Sequence, residues 1–182
     1  MAVKFKVVKT PPFQTVEIKT SVVSFKMEIA VYGIAKRREL LEEYKALLFS
    51  QKVETARVAD NQARDALAKA STDVDAFTAQ WSITAKSDSD LQDALKEQDA
   101  VLVAFYYSMI NRIYDLPIQV PNGDSALADT SDPTVLGLQD SQEALAVLLE
   151  ELGDNPVVRD AITKAVDSVF TNINKDDAAV LN

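Results

Sequence analysis

Between Gly33 and Pro117 lie 83 consecutive residues with neither glycine nor proline. Those two residues cost a helix interior about 1 and 3 kcal/mol relative to alanine, so their absence removes the strongest local obstacle to helix. The segment "KRRELLEEYKALLFSQKVETARVADNQARDALAKASTDVDAFTAQW" is rich in Ala, Leu, Glu, Lys, Gln and Arg, and reads as one long helix or two in line. Ala46, Phe49, Val53, Ala56, Ala59, Ala63, Ala66, Ala70, Val74, Phe77 and Trp81 recur at steps of three and four, the spacing of a coiled-coil seam. The middle of that seam is alanine. A partner backbone can approach it closely, but little apolar area is buried per turn.

The "SDSD" that follows offers Ser87 as a helix cap with Asp90 three residues on, and predicts a second helix over 88–114. From Ala100 to Asn111 it carries no charge. Leu91, Leu95, Leu102, Phe105, Met109 and Ile113 form one apolar stripe; Val103, Tyr107, Ile110 and Tyr114 form another. Such a helix is a core element, or a core element with a side for a partner.

Ahead of the helical region the pattern changes period. Val23, Phe25, Met27, Ile29 and Val31 alternate with Ser24, Lys26, Glu28 and Ala30, as in a strand with one wet face. "VKFKVV" and "FQTVEIKT", split by Pro11 and Pro12, add two further strand signals and complete a small antiparallel sheet. Beyond the helices, "DLPIQVPNGDSALADTSDPTVLGLQDS" reads as a loop. Leu145, Leu148, Leu149 and Leu152 then mark a helix stopped at Gly153. Asn155 caps another, with Pro156 at its first position and Val158, Ile162, Val166, Val169 and Ile173 along it. The fold class expected is α+β: a small N-terminal antiparallel sheet, a long, mainly α-helical body and a C-terminal helical pair. The divisions expected are 1–114 for sheet and body, 115–134 for a linker loop, 135–174 for the helical pair and 175–182 for a mobile tail.

Composition narrows the chemistry. With no histidine and no cysteine, the chain lacks the commonest general base, the usual transition-metal ligands and any disulfide. Neither a phosphate-cradling glycine loop nor a Gly-x-Ser-x-Gly or Ser-x-x-Lys phrase occurs, and "DSDLQDALKEQD" lacks the glycine of a calcium loop. No catalytic, cofactor-binding or metal-binding residue is assigned, and the expectation is a protein that is not an enzyme and uses no cofactor. No apolar run has the length of a membrane span, and the N-terminus lacks the apolar stretch of a secretion signal, so the expected location is cytoplasmic. The net charge of −9 divides unevenly: residues 1–38 hold eight Lys/Arg against two Glu, leaving −15 for the rest. An acidic body disfavours nucleic acid, and a basic start beside it suits self-association or a partner of complementary charge.

The order of these features resembles the tail assembly chaperones of long-tailed bacteriophages, the lambda-type protein encoded just before the tape-measure protein. The phrases that carry the resemblance are "FKVVKTPPF" (Phe5 to Phe13), "KRRELLEEY" (Lys36 to Tyr44), "QWSI" around Trp81, and "SDSDLQDALKEQDAVLVAFYYSMI". It covers roughly residues 3 to 114; Gln80 and Ser82 stand where that family often has glycine and aspartate. The resemblance implies a protein that coats and solubilises the helical tape-measure protein, helps recruit tail-tube protein, acts in the host cytoplasm and leaves the mature virion. Trp81, Phe105, Tyr106 and Tyr107 are the partner-binding residues expected on this reading. A structural tail or head-tail connector component, using the same helices permanently, is the alternative.

Overall fold

A computed structural model describes residues 13–119 and 125–180. The class is α+β. Strands β1 (Phe13–Lys19) and β2 (Ser24–Ala30) precede helices α1 (Ile34–Leu48), α2 (Gln51–Lys69) and α3 (Val74–Tyr107). Strands β3 (Ile110–Tyr114), β4 (Leu116–Gln119) and β5 (Ser125–Ala128), a 3-10 turn at Pro133–Leu136, and helices α4 (Ser141–Gly153) and α5 (Pro156–Val180) follow. The described chain forms two compact units. Arg38–Phe105 is one; the residues up to Arg37 and from Tyr106 onward form the other.

The second of these units contains an antiparallel sheet in the order β1-β2-β3. Phe25, Met27 and Ile29 are buried on the central strand, as the period-two pattern predicts, and Ile18, Ile110 and Ile113 join them from its neighbours. The third described strand comes from farther along the chain. "VKFKVV" lies outside the described residues, and the observed partner of β2 is β3, from the far end of the supposed core helix. Its register runs from Lys26↔Tyr114 through Glu28↔Arg112 to Ile29↔Ile110, so Asn111 is the extra residue of a bulge. The helix expected over 88–114 therefore ends at Tyr107. Ile110 and Ile113, three positions apart, fit a helical stripe; in the strand it is the bulge at Asn111 that brings both to the buried face opposite β2.

The loop expected at 115–134 is also corrected, because β4 and β5 pair antiparallel within it, Leu116↔Ala128 to Gln119↔Ser125. Asp115 turns the chain between β3 and β4 at φ 56°, a left-handed conformation that aspartate tolerates better than most residues. Thr130 closes the outer edge of β3: its amide donates to the Ile113 carbonyl (2.9 Å), and its hydroxyl accepts from the Ile113 amide (3.2 Å). Without Thr130 both backbone groups of Ile113 would be buried and unpaired.

Helices α4 and α5 cover this sheet's apolar face, α5 packing on β1 and α4 on β3. Asp140 caps α4 by accepting from the amides of Gln142 and Glu143, and Asn155 caps α5 by accepting from those of Val157 and Val158. Leu148, Val158, Ile162, Val166 and Val169 are buried, as their spacing predicts. Helix α5 continues to Val180, past the expected end at residue 174.

Candidate interaction surface

The Arg38–Phe105 unit is a hairpin of helices. Its polar contacts fix the direction. Lys52 pairs with Glu97, and Arg64 with Asp88, so positions rise along α2 as they fall along α3. Tyr44 continues the series onto Phe105, ring centroids 5.6 Å apart.

The helical stretch expected over residues 36–81, as one long helix or two in line, is broken twice. At Ser50 the hydroxyl accepts from the Val53 amide and starts α2 afresh. The amide nitrogen of Gln98, on α3, donates to the carbonyls of Leu47 and Leu48, satisfying groups that the end of α1 leaves orphaned. The second break, at residues 70–73, is the hairpin turn. There Asp73 caps α3 by accepting from the amides of Asp75 and Ala76. The predicted cap at Ser87 is instead mid-helix: its hydroxyl donates to the Thr84 carbonyl and to Asp60.

The seam of the hairpin is built mostly of small and polar residues. On α2 it runs Val53, Ala56, Asp60, Ala63, Leu67, Ala70; on α3 it runs Gln80, Thr84, Ser87, Leu91, Ala94, Gln98. All of these are buried or half-buried. Asp60 is 4% exposed and stands one position from Ala59, the residue that apolarity alone selected and that is exposed. Its carboxylate is held by Arg64 Nε at 2.6 Å and the Ser87 hydroxyl at 3.3 Å. Thr84 Oγ1 and Gln80 Nε2 both reach the Ala63 carbonyl, at 3.2 and 3.3 Å. Contacts to a backbone carbonyl from the facing helix require the close approach that alanine allows.

Large apolar side chains sit outside that seam. Phe49 is 68% exposed and Trp81 59%, with Leu48, Val74, Phe77 and Ile83 also at the surface. Near the hairpin turn, Leu67, Ala68 and Ser71 of α2 and Phe77, Trp81, Thr84 and Ala85 of α3 line a groove of about 560 Å³, bounded by Arg64 and Asp88. The Phe77 and Trp81 rings lie 6.2 Å apart, tilted by 30°. Arg64 donates to Asp60 and, through Nη2, to Asp88 at 2.7 Å; the Asp60 hydrogen bond, ahead of the charges, raises its pKa further. A second, smaller hollow of about 260 Å³ is lined by Ala46, Leu47, Phe49, Ala94, Gln98 and Val101, among others.

The four residues expected to bind a partner are not brought together. Trp81 and Phe105 share α3 but stand 24 positions apart, about 36 Å at 1.5 Å per residue. Trp81 is at the groove. Phe105 is buried against Tyr44. Tyr106 and Tyr107 belong to the other unit, where both are half-buried. Phe77, Leu67 and Asp88 join Trp81 instead. The four-residue step from Phe77 to Trp81 is visible in the sequence, but only as part of the coiled-coil-type seam and not as one wall of a groove. Among the described residues no group of three or more acidic, histidine or cysteine side chains is placed to hold a metal, and no helix is long and apolar enough to cross a membrane. No protein-family model, curated protein or solved structure matches this chain.

Proposed function

We propose that this chain is a tail assembly chaperone, a non-catalytic protein that binds helical segments of the tape-measure protein, keeps them soluble and helps recruit tail-tube subunits. The observation that carries this reading is the inverted hairpin. Small and polar residues fill its seam, while Phe49, Phe77 and Trp81 are left at the surface. Exposed aromatics beside a helix-lined groove suit an amphipathic helix laid along it.

Magnitudes favour a reversible complex. Covering about half of the Phe77 and Trp81 side chains removes about 200 Å² from water, worth about 5 kcal/mol at 25 cal/mol per Å². Association itself costs on the order of 4–15 kcal/mol, so one such patch gives a weak grip and several along a long partner give a firm one. That is what a factor needs if it coats a helical protein and later leaves it. In this reading the protein works in the host cytoplasm and is absent from the finished particle.

The test is co-expression with the large helical protein encoded next downstream, followed by size exclusion with mass determination. A downstream protein that aggregates alone but enters a defined soluble complex with this chain supports the reading. If it stays insoluble while this chain elutes alone, the reading fails.

A further inference from the structure

Two carboxylates share one guanidinium at the rim of the larger groove. Arg64 is held by buried Asp60 and by Asp88, whose side chain is 48% exposed, so the cluster carries a net −1 with Asp88 facing solvent. The whole Arg38–Phe105 unit holds thirteen Asp/Glu against eight Lys/Arg, a net −5. A second copy of this hairpin would bring acid against acid, whereas a cationic partner is attracted to it. Between the rims the groove is apolar, lined by Leu67, Phe77 and Trp81, a surface suited to helical side chains at i, i+3, i+4 and i+7.

We infer that this groove selects a basic amphipathic helix: an apolar stripe seated on Phe77 and Trp81, flanked by Lys or Arg, one of which pairs with Asp88. The inference rests on the helix-binding reading above and names the chemistry of the helix. It also sets an orientation, because the apolar stripe must face Phe77 and Trp81 while a cation reaches the Arg64–Asp88 end.

Trp81 is the sole tryptophan in the chain and so reports on the groove directly. The full-length protein is titrated with two tryptophan-free synthetic helices of identical leucine stripe, one flanked by lysines and one by glutamates. The lysine helix is expected to shift Trp81 emission to shorter wavelength, to saturate, and to bind at least tenfold more tightly than the glutamate helix at low salt, the gap closing as salt rises. Phe77→Ser, an exposed position, is expected to weaken the lysine helix at least tenfold by calorimetry with the circular dichroism unchanged. Asp88→Asn is expected to shrink the discrimination between the two helices while leaving the stripe's contribution.

Equal affinity for both helices overturns the charge selection. Concentration-dependent dimerisation in the ultracentrifuge that Phe77→Ser abolishes overturns the occupant, giving the groove to a second copy. If the lysine helix binds at Trp81 but the downstream protein stays insoluble on co-expression, the chaperone reading falls and the groove's specificity stands. If neither helix moves Trp81 emission while the downstream protein is solubilised, the groove assignment falls and the chaperone reading stands.

Discussion

Gly153 lies against the hydroxyl end of Tyr107: a Cβ built on the glycine would fall 2.7 Å from the tyrosine hydroxyl and 3.6 Å from Cζ. The hydroxyl is buried and has no hydrogen-bond partner among the described residues. Burial outweighs the opposing charge of Arg159 and raises its pKa. Gly153→Ala is therefore expected to destabilise by about 1–2 kcal/mol despite the better helix propensity of alanine. Tyr107→Phe, which removes an unsatisfied polar atom, is expected to be neutral or slightly stabilising. In Gly153→Ala/Tyr107→Phe the nearest remaining contact is ordinary, and the double variant should regain wild-type stability. Urea unfolding of all four proteins measures that coupling, and simple additivity would show that the two side chains do not compete for space.

Acid should undo the Arg112–Asp129 pair. Arg112 Nε donates to Asp129 at 2.8 Å and Nη2 donates to its other oxygen, while the guanidinium lies 4.9 Å from the centre of the Tyr114 ring. The Arg112 hydrogen bond is the largest cause holding the Asp129 carboxyl at about 2, against an ordinary 3.8. A depressed carboxyl stabilises the fold above its unfolded pKa and loses that contribution as pH falls through its folded one. About 1–2 kcal/mol, discounted for partial exposure, is thus expected to vanish between pH 4 and pH 2. Melting temperature followed across that window should fall more steeply for wild type than for Asp129→Asn; parallel curves would count against the pair.

Asp60 poses the opposite question, since a buried carboxylate costs desolvation whatever it is paired with. Asp60→Ala leaves Arg64 with Asp88 alone and the Ser87 hydroxyl with only the Thr84 carbonyl, and is expected to lose about 2–3 kcal/mol. Asp60→Leu with Arg64→Ala makes the seam apolar and is expected to match or exceed wild-type stability. Its penalty should appear as looser registration of α2 on α3, read as faster amide exchange around Ala63. An apolar variant with unchanged exchange would deny Asp60 any part in setting the register.

The break between α1 and α2 rests on two side chains. Ser50→Ala removes the cap of α2 and is expected to cost about 1 kcal/mol. Gln98→Ala uncovers the carbonyls of Leu47 and Leu48 at a partly wet site and should cost about as much. Chemical denaturation measures both, and a loss below 0.3 kcal/mol in each would show that the break is maintained by packing alone.

What could be read ahead of the structure was whatever is decided locally. The end of α4 at Gly153, the Asn155–Pro156 start of α5 and the alternation along β2 each follow from residues within a few positions of one another. The misreadings involve a distant partner. Ile110 and Ile113 become strand because β2, about eighty positions upstream, offers an open edge. Ser87 stays inside a helix because Asp60 on the facing helix takes its hydroxyl. Choosing seam positions by apolarity passed over Asp60 and placed Phe77 and Trp81 in a helix-helix seam they do not enter. The binding surface was half legible for the same reason: Trp81 was singled out, but its groove partner Leu67, on α2, reaches it only through the hairpin turn.

The chain leaves one unit at Arg37 and re-enters it at Tyr106, so Arg38–Phe105 is an insertion. Tyr44 meeting Phe105 places the two ends of that insertion side by side, and in the host unit Arg37 and Met109 line one small cavity. Pairing Ile29 with Ile110 would otherwise require closing a floppy loop of eighty residues. A pre-formed helical hairpin replaces it with a short tether, lowering the entropic barrier by a few tenths to a few kcal/mol depending on how stiff the hairpin is. The helices that present the aromatic groove thereby also shorten the tether between the two strands they separate in sequence.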